Sequence, residues 1–339
     1  MPFIGICGDI CSGKQTIANY LVEKLNFSIL KLQNSSNNNI KLNNCSLLDA
    51  GLKCLNKKEE KIFKNPVQML NYVTSHWRER FVTIDIFSEE VLKIFAKRPF
   101  FLLISVNSPV MLRWDRYKQC YKYRNFHEFN LEEFIKLSDD FFFNSKNGIV
   151  HLFNKAQIKI INNYNSLAEF YEVLQRIDLV NENWFRPSWD TYFMHLASLA
   201  ALRSNCMKRR VGCVLVRNKR VISTGYNGTP RGFVNCNQGG CKRCNKGQGN
   251  GQDLDACLCL HAEENALLEA GKERIANDSV LYCNTCPCLT CSVKITQVGV
   301  REVIYNHSYS MDNQTSEILS RSGIILRQHV INSIIFLKD

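Results

Sequence analysis

The chain has 339 residues, 45% hydrophobic and 22% charged, a balance that excludes a disordered or fibrous protein and favours two domains over one. No stretch of 18 or more apolar residues is present, so no membrane-spanning helix is expected. The net charge is +12, but its tightest run is Lys208-Arg209-Arg210, too few cations to argue for a nucleic-acid groove; small anions such as nucleotides suit the balance too. Of 16 cysteines, 11 lie between Cys206 and Cys291, and the N-terminus lacks the basic start of a secretory signal. Metal binding in the cytoplasm, with the nucleus as a second location, is therefore expected rather than disulfides.

Phe3 to Cys7 reads as a buried strand. Gly8-Asp-Ile-Cys-Ser-Gly13-Lys14 follows, then an amphipathic helix with Ile17, Tyr20, Leu21 and Leu25 on one face. A Gly-x₄-Gly-Lys turn between strand and helix resembles a P-loop, in which backbone N–H groups and the lysine hold phosphates and the next Ser or Thr holds Mg²⁺. Gln15 stands where that hydroxyl belongs and Thr16 is one residue late, about 100° further round the helix. The motif is degenerate. Its setting, with Arg98-Pro-Phe-Phe-Leu-Leu-Ile-Ser-Val106, resembles small nucleotide and dephospho-coenzyme A kinases. An active kinase, a nucleotide-binding regulator with Mg²⁺ and a scaffold that has lost its site all remain open. Gln33 to Asn44, rich in Asn and Ser, reads as a loop. Helices are expected at 66–81, 109–123, 131–141 and 166–177, and strands at 81–87, 99–106 and 158–162. Alternating strands and helices imply an α/β domain over 1–178, followed by a polar linker at 179–187.

A second domain is expected over 188–331. Ser188 suits an N-cap before a helix to Asn205. Val211 to Val216 and Arg220 to Tyr226 read as a hairpin around Arg217-Asn218-Lys219. A Gly- and Cys-rich insertion spans 227–258. Helices at 260–270, 288–298 and 312–322 then alternate with strands at 279–283, 301–305 and 324–330. The order α-β-β-α-β-α-β-α-β describes a five-stranded mixed sheet covered by helices.

The chemistry is carried by Leu260-His-Ala-Glu-Glu-Asn-Ala266 and Thr285-Cys-Pro-Cys-Leu-Thr-Cys291. One imidazole, His261, and two thiolates, Cys288 and Cys291, make a three-ligand zinc site with the fourth position left for water. Glu263 is not needed to bind metal; it is suited to taking a proton from zinc-bound water and delivering it to the substrate as that hydroxide attacks. H-x-E … P-C-x-x-C is the signature of zinc nucleobase deaminases. The competing interpretation is a structural Cys₄ ribbon of Cys283, Cys286, Cys288 and Cys291, which gives Glu263 no role.

With Arg203-Ser-Asn-Cys-Met-Lys-Arg-Arg-Val-Gly212, Gly225-Tyr-Asn-Gly-Thr-Pro-Arg231 and Cys259-Leu-His-Ala-Glu-Glu-Asn-Ala266, these segments resemble the deoxycytidylate (dCMP) deaminases, closely the fungal type. The resemblance covers about 187–330. It implies a cytidine-deaminase-like α/β/α sandwich that hydrolyses dCMP to dUMP and ammonia, supplying dUMP for thymidylate synthesis. It implies zinc on His261, Cys288 and Cys291, Glu263 as proton shuttle, dCTP and dTTP as effectors, and a homo-oligomer, often a hexamer. It also points Asn227 at the substrate's sugar, whereas Asn227-Gly228 alone reads equally as a turn. Lys208, Arg209 and Arg210 would meet nucleotide phosphates or form a solvated basic face. An editing deaminase acting on tRNA and a zinc-stapled nucleic-acid-binding module are the alternatives.

The insertion lacks apolar residues for a core, so a second, structural zinc is expected on Cys236, Cys241, Cys244 and Cys257, with Cys257 preferred over Cys259 because the latter lies so close to the catalytic helix. Free thiols in a flexible loop are the alternative. Fungal-type enzymes carry an N-terminal extension comparable to the one here.

Overall fold

In a computed structural model, residues 2–33, 61–124, 129–145, 148–247, 249, 252–253, 256–308, 312–331 and 335–336 are described. Most of the expected 33–44 loop lies outside them. The chain forms two compact units, Met1–Arg186 with Ser333–Asp339, and Pro187–Asn332. No helix among the described residues is long and apolar enough to cross a membrane.

The first unit runs β1 (Phe3–Gly8), α1 (Lys14–Leu25), β2 (Ser28–Leu32), β3 (Lys61–Phe63), α2 (Pro66–Ser75), β4 (Phe81–Thr83), α3 (Glu89–Phe95), β5 (Phe101–Asn107), α4 (Val110–Arg124), α5 (Leu131–Phe143), α6 (Val150–Lys155), β6 (Ile158–Ile161) and α7 (Leu167–Ile177). Its sheet is parallel throughout, in the order β12-β6-β5-β1-β4-β2-β3. Here β12 is Ile335–Phe336, an edge strand returning after the second unit. Such a sheet is covered on both faces, so β1 is buried along its whole length. Alternate residues divide between the two cores: Ile4 and Ile6 pack with Ile17, Leu21 and Phe170, while Phe3 and Cys7 pack with Met69, Val73 and Phe95. Ser166 caps α7 and Asn65 caps α2 with Pro66 at its start.

Residues 179–187 are not the expected linker. Leu179 is fully buried, and Val180, Trp184 and Phe185 pack against the first unit's core. Trp184 Nε1 donates to the carbonyl of Asp178 at 3.0 Å. The polar residues between them mask a hydrophobic anchor.

The second unit contains α8 (Trp189–Ala201), β7 (Gly212–Arg217), β8 (Arg220–Tyr226), α9 (Lys242–Asn245), α10 (Ala262–Ala270), β9 (Val280–Thr285), α11 (Leu289–Val298), β10 (Glu302–His307), α12 (Asp312–Arg321) and β11 (Ile325–Gln328). The five strands lie in the order β11-β10-β9-β7-β8. β7 pairs antiparallel with β8 and β9, whereas β9, β10 and β11 are parallel, giving the expected mixed sheet. Asn218 and Lys219 both take positive φ, 51° and 58°, as a two-residue hairpin requires. Ser188 caps α8, accepting from Thr191 N at 3.2 Å.

Period-two alternation places helices on both faces. Val214 and Val216 pack with Phe193 and Ala197 of α8, while Cys213 and Leu215 pack with Ala262 and Ala266 of α10. Two glycines permit close approach. A Cβ on Gly212 would stand 2.1 Å from the carbonyl oxygen of Ala197, and one on Gly225 would stand 2.1 Å from that of Ala262.

Candidate metal centre and active site

α10 and α11 begin with their metal-type donors at the N-cap: His261 precedes α10 and Cys288 precedes α11. Neither side chain caps its own helix. The donors turn toward one another, with His261 Nδ1 3.3 Å from Cys288 Sγ and 3.4 Å from Cys291 Sγ. Tetrahedral zinc, with ligand lengths of about 2.3 Å to sulfur and 2.0–2.1 Å to nitrogen, separates such atoms by about 3.6 Å. The donor set and its spacing fit zinc. Thr315 Oγ1 donates to the carbonyl of Pro287 at 2.8 Å and fixes the turn into α11.

The electrostatics favour a bound cation. A hydrogen bond from Cys291 draws the Cys288 thiol down to about 4, with His261 helping and burial opposing. Free N–H groups at two helix starts also favour anionic ligands. Glu263, second residue of α10, is only 4% exposed. Burial pushes its carboxyl up to about 7, against the pull of His261, and Cys291 hydrogen-bonds to it. A dication on the three donors would draw it back toward ionisation.

Cys283 and Cys286 are not in this donor group. Cys283 lies on β9 opposite Cys213 on β7, and both are fully buried under α10 and α11. Placement thus removes the Cys₄ ribbon.

Asn227, at the end of β8, commits most of its amide to the protein. Its Oδ1 accepts from Ser204 Oγ at 2.7 Å and Val211 N at 2.8 Å, and its Nδ2 donates to the carbonyl of Arg209 at 2.8 Å. An amide has two N–H donors, so one remains. Asn227 therefore pins the 204–211 loop. Ser204, which sequence reasoning missed, is its partner. Lys208, Arg209 and Arg210 on that loop are exposed, and Lys208 Nζ donates to the carbonyl of Gly249 at 2.8 Å.

The insertion brings six sulfurs together, but not in the expected set. Cys236, Cys241, Cys244 and Cys257 do not gather as one quartet. The mutually close groups are Cys206, Cys236, Cys244 and Cys259, and Cys241, Cys244, Cys257 and Cys259. Cys206 lies 30 residues before Cys236, across a whole hairpin, so local spacing gives no sign of it. Cys259 is available because Leu260 bridges Gly228 and holds the segment extended. Two extended residues span about 6–7 Å, enough to separate Cys259 from the donors at His261.

In the first unit, the Gly8–Lys14 turn is filled by its own protein. Lys14 Nζ donates to the carbonyls of Gly8 and Asp9, both at 2.8 Å. Arg113 is ion-paired with Asp9 at 2.8 Å, and Ser138 Oγ donates to the same carboxylate at 3.0 Å. Arg116 donates to the carbonyls of Cys11 at 3.3 Å, Ser12 at 3.4 Å and Tyr164 at 2.9 Å. Asn162 Nδ2 donates to the carbonyl of Ser12 at 2.9 Å and leaves no room for a Cβ on Gly13, whose φ is +109°. Gln15 faces Asn19 at 2.9 Å and Thr16 is buried.

Residues 187–307 match the family model described as the cytidine and deoxycytidylate deaminase zinc-binding region. The chain is 49% identical to the deoxycytidylate deaminase of Schizosaccharomyces pombe over 331 residues, 97% of this chain and 98% of that protein. It is 45% identical to the deoxycytidylate deaminase of Saccharomyces cerevisiae over 275 residues, 78% of this chain and 86% of that protein. A solved structure of the dCMP deaminase of cyanophage S-TIM5, in complex with dCMP and dUMP, is 33% identical over 42% of this chain and 98% of that one, with a TM-score of 0.36. With relatives matched along nearly the whole chain, around a His-Cys-Cys centre beside a buried glutamate, the chain belongs to the deoxycytidylate deaminase family.

Proposed function

We infer that this protein hydrolyses dCMP to dUMP and ammonia. The observation that carries the reading is Glu263, buried beside three donors that suit zinc and tied to the start of the same helix as His261. Zinc on His261, Cys288 and Cys291 supplies the Lewis acidity that makes water a nucleophile near neutral pH. With zinc held there, Glu263 would take one proton from the attacking water and give it to ring N3 as the oxygen bonds to C4, then take the second proton from the new C4 hydroxyl and give it to the amino group, so that the C4–N bond breaks and ammonia leaves. Its burial keeps the carboxyl within reach of both protonation states. We propose that Asn227 gives its remaining N–H to a sugar hydroxyl, a reading supported by the one amide donor that its contacts with Ser204, Arg209 and Val211 leave over. A zinc-stapled binding module gives Glu263 no task, and an editing deaminase has no support from relatives that match 97% of the chain.

We propose further that dCTP activates and dTTP inhibits, with Mg²⁺ accompanying the triphosphate, and that exposed Lys208, Arg209 and Arg210 meet phosphate groups. A homo-oligomer is supported by the exposed apolar side chains of Leu199, Leu202, Phe233 and Val234. A structural zinc in the insertion is supported by its two cysteine quartets. For the first unit, the filled turn and the missing hydroxyl at Gln15 favour a scaffold that no longer transfers phosphate. We place the protein in the cytoplasm or the nucleus, a reading supported by cysteine groups that suit metal binding in a reducing compartment.

Purified protein assayed on dCMP, deoxycytidine, CMP and short RNA, with and without dCTP, tests the substrate. Turnover of dCMP should exceed the others by at least tenfold. Preferential turnover of deoxycytidine or RNA would contradict the reading.

A further inference from the structure

We propose that the insertion holds two zinc ions rather than one, in a six-thiolate cluster in which Cys244 and Cys259 bridge both ions. The proposal rests on the reading above that the insertion binds zinc, and extends it in stoichiometry and ligand set.

The two cysteine quartets share two members. Cys206 and Cys236 belong to one only, and Cys241 and Cys257 to the other only. Sulfur separations are 3.8 Å for Cys206–Cys244 and 3.9 Å for Cys241–Cys257, Cys244–Cys257 and Cys244–Cys259. Thiolates on one tetrahedral zinc, each about 2.3 Å from the metal, stand about 3.8 Å apart. A disulfide would need about 2.05 Å. The spacing is that of ligands around metal, and it recurs on both sides of the shared edge.

One ion would use four of these sulfurs and leave two thiols, one buried and one half-buried, in contact with them. Two ions sharing an edge use all six, each with two terminal and two bridging ligands. The number of sulfurs, their division into two overlapping quartets and the absence, among the described residues, of any other core in the insertion agree on this. The local hydrophobic cluster consists of Cys236, Cys241, Cys244 and Cys259, with Cys206 and Cys257 against it. A segment whose described interior is made of cysteine side chains needs another source of folding free energy, and metal–thiolate bonds would supply it.

Six thiolates and two dications leave a charge of −2, and the surroundings answer it. The nearly buried Arg243 hydrogen-bonds to Cys257. Met207 N donates to Cys236 Sγ at 3.4 Å, backbone N–H groups of Lys208 and Arg209 donate to Cys206, and that of Leu258 donates to Cys241. Outer donors of this kind orient metal ligands and spread their charge.

The cluster also reaches the 204–211 loop that Asn227 pins. Cys206 sits between Asn205, whose Oδ1 accepts from Thr229 N at 3.3 Å, and the Lys208–Arg210 cations. Cys206 N donates to Ser204 Oγ at 3.2 Å, and that hydroxyl in turn donates to Asn227. Ions held by Cys206 therefore fix the loop that positions Asn227.

The test is the metal content of the full chain, expressed with zinc and freed of loosely bound metal, with His261→Ala beside it. The wild type should hold three zinc ions per chain and His261→Ala two. The same protein loaded with ¹¹³Cd should give two all-sulfur resonances with mutual scalar coupling, which requires a bridging sulfur. Two zinc ions in the wild type would overturn the binuclear cluster while leaving a single structural zinc. One zinc would remove structural metal altogether without touching the assignment of substrate. Three ions with no cadmium–cadmium coupling would overturn the bridging role of Cys244 and Cys259.

Discussion

Glu263 and Lys14 are both ionisable side chains in the first turn of a helix, and both are 4% exposed. Lys14 gives its N–H groups to two carbonyls of the turn before it, and the neighbouring arginines and Asn162 do likewise. Glu263 lies beside three donors whose spacing fits a zinc ion, and Cys291 hydrogen-bonds to its carboxyl. The two regions show that burial of a charged group does not by itself identify a working site; what stands around the group decides. In the first unit carbonyls and a carboxylate of the protein take up most of the bonding capacity of the buried cations, although Ser12 Oγ and Arg116 Nε have no partner among the described residues; in the second the buried carboxyl stands beside three donors whose spacing fits zinc.

The largest effect that would break this contrast is loss of the metal. His261→Ala should remove the catalytic zinc and reduce dCMP turnover to background, while thermal unfolding of the first unit stays unchanged. Retained zinc at the Cys288–Cys291 pair with residual turnover would place the essential ligand elsewhere. Next is the filled turn. Arg113→Met leaves Asp9 buried without its partner and should destabilise the first unit by about 3–5 kcal/mol in chemical denaturation. Adding Asp9→Asn should restore most of that loss. A cost below about 1 kcal/mol for Arg113→Met would mean that the ion pair is not what holds the turn. Smaller still is Gly225→Ala, whose methyl would collide with the carbonyl of Ala262 and push the start of α10 outward. It should cost about 1–3 kcal/mol in the second unit and weaken zinc binding. Unchanged zinc affinity would show that β8 does not set the position of His261.

Sequence patterns revealed the second unit well because its chemistry is local. His261 and Glu263 are two residues apart and Cys288 and Cys291 three apart, so each pair is placed by one helix start. The hairpin was legible from Asn218 and Lys219, and the mixed sheet from alternating runs such as Val214 and Val216. Two things were not legible. Cys206 joins its cluster across a hairpin, a tertiary relation with no period. Leu179, Trp184 and Phe185 anchor a stretch whose average polarity resembles a linker. Strands β2, β3 and β12 also escaped notice, being two to five residues long at one edge or the other of a sheet. The degenerate P-loop was recognisable, but only the packing of Arg113, Arg116 and Asn162 showed that the turn is already filled.

The separation of metal binding from proton transfer is tested most directly by Glu263→Gln, with zinc content and ammonia release from dCMP measured on the same sample. The substitution keeps the shape of the side chain and removes its proton chemistry. Turnover should fall by about 10²–10⁴-fold with zinc unchanged. Turnover within tenfold of the wild type, or zinc lost together with activity, would contradict the role of Glu263 as the proton shuttle beside an intact metal site.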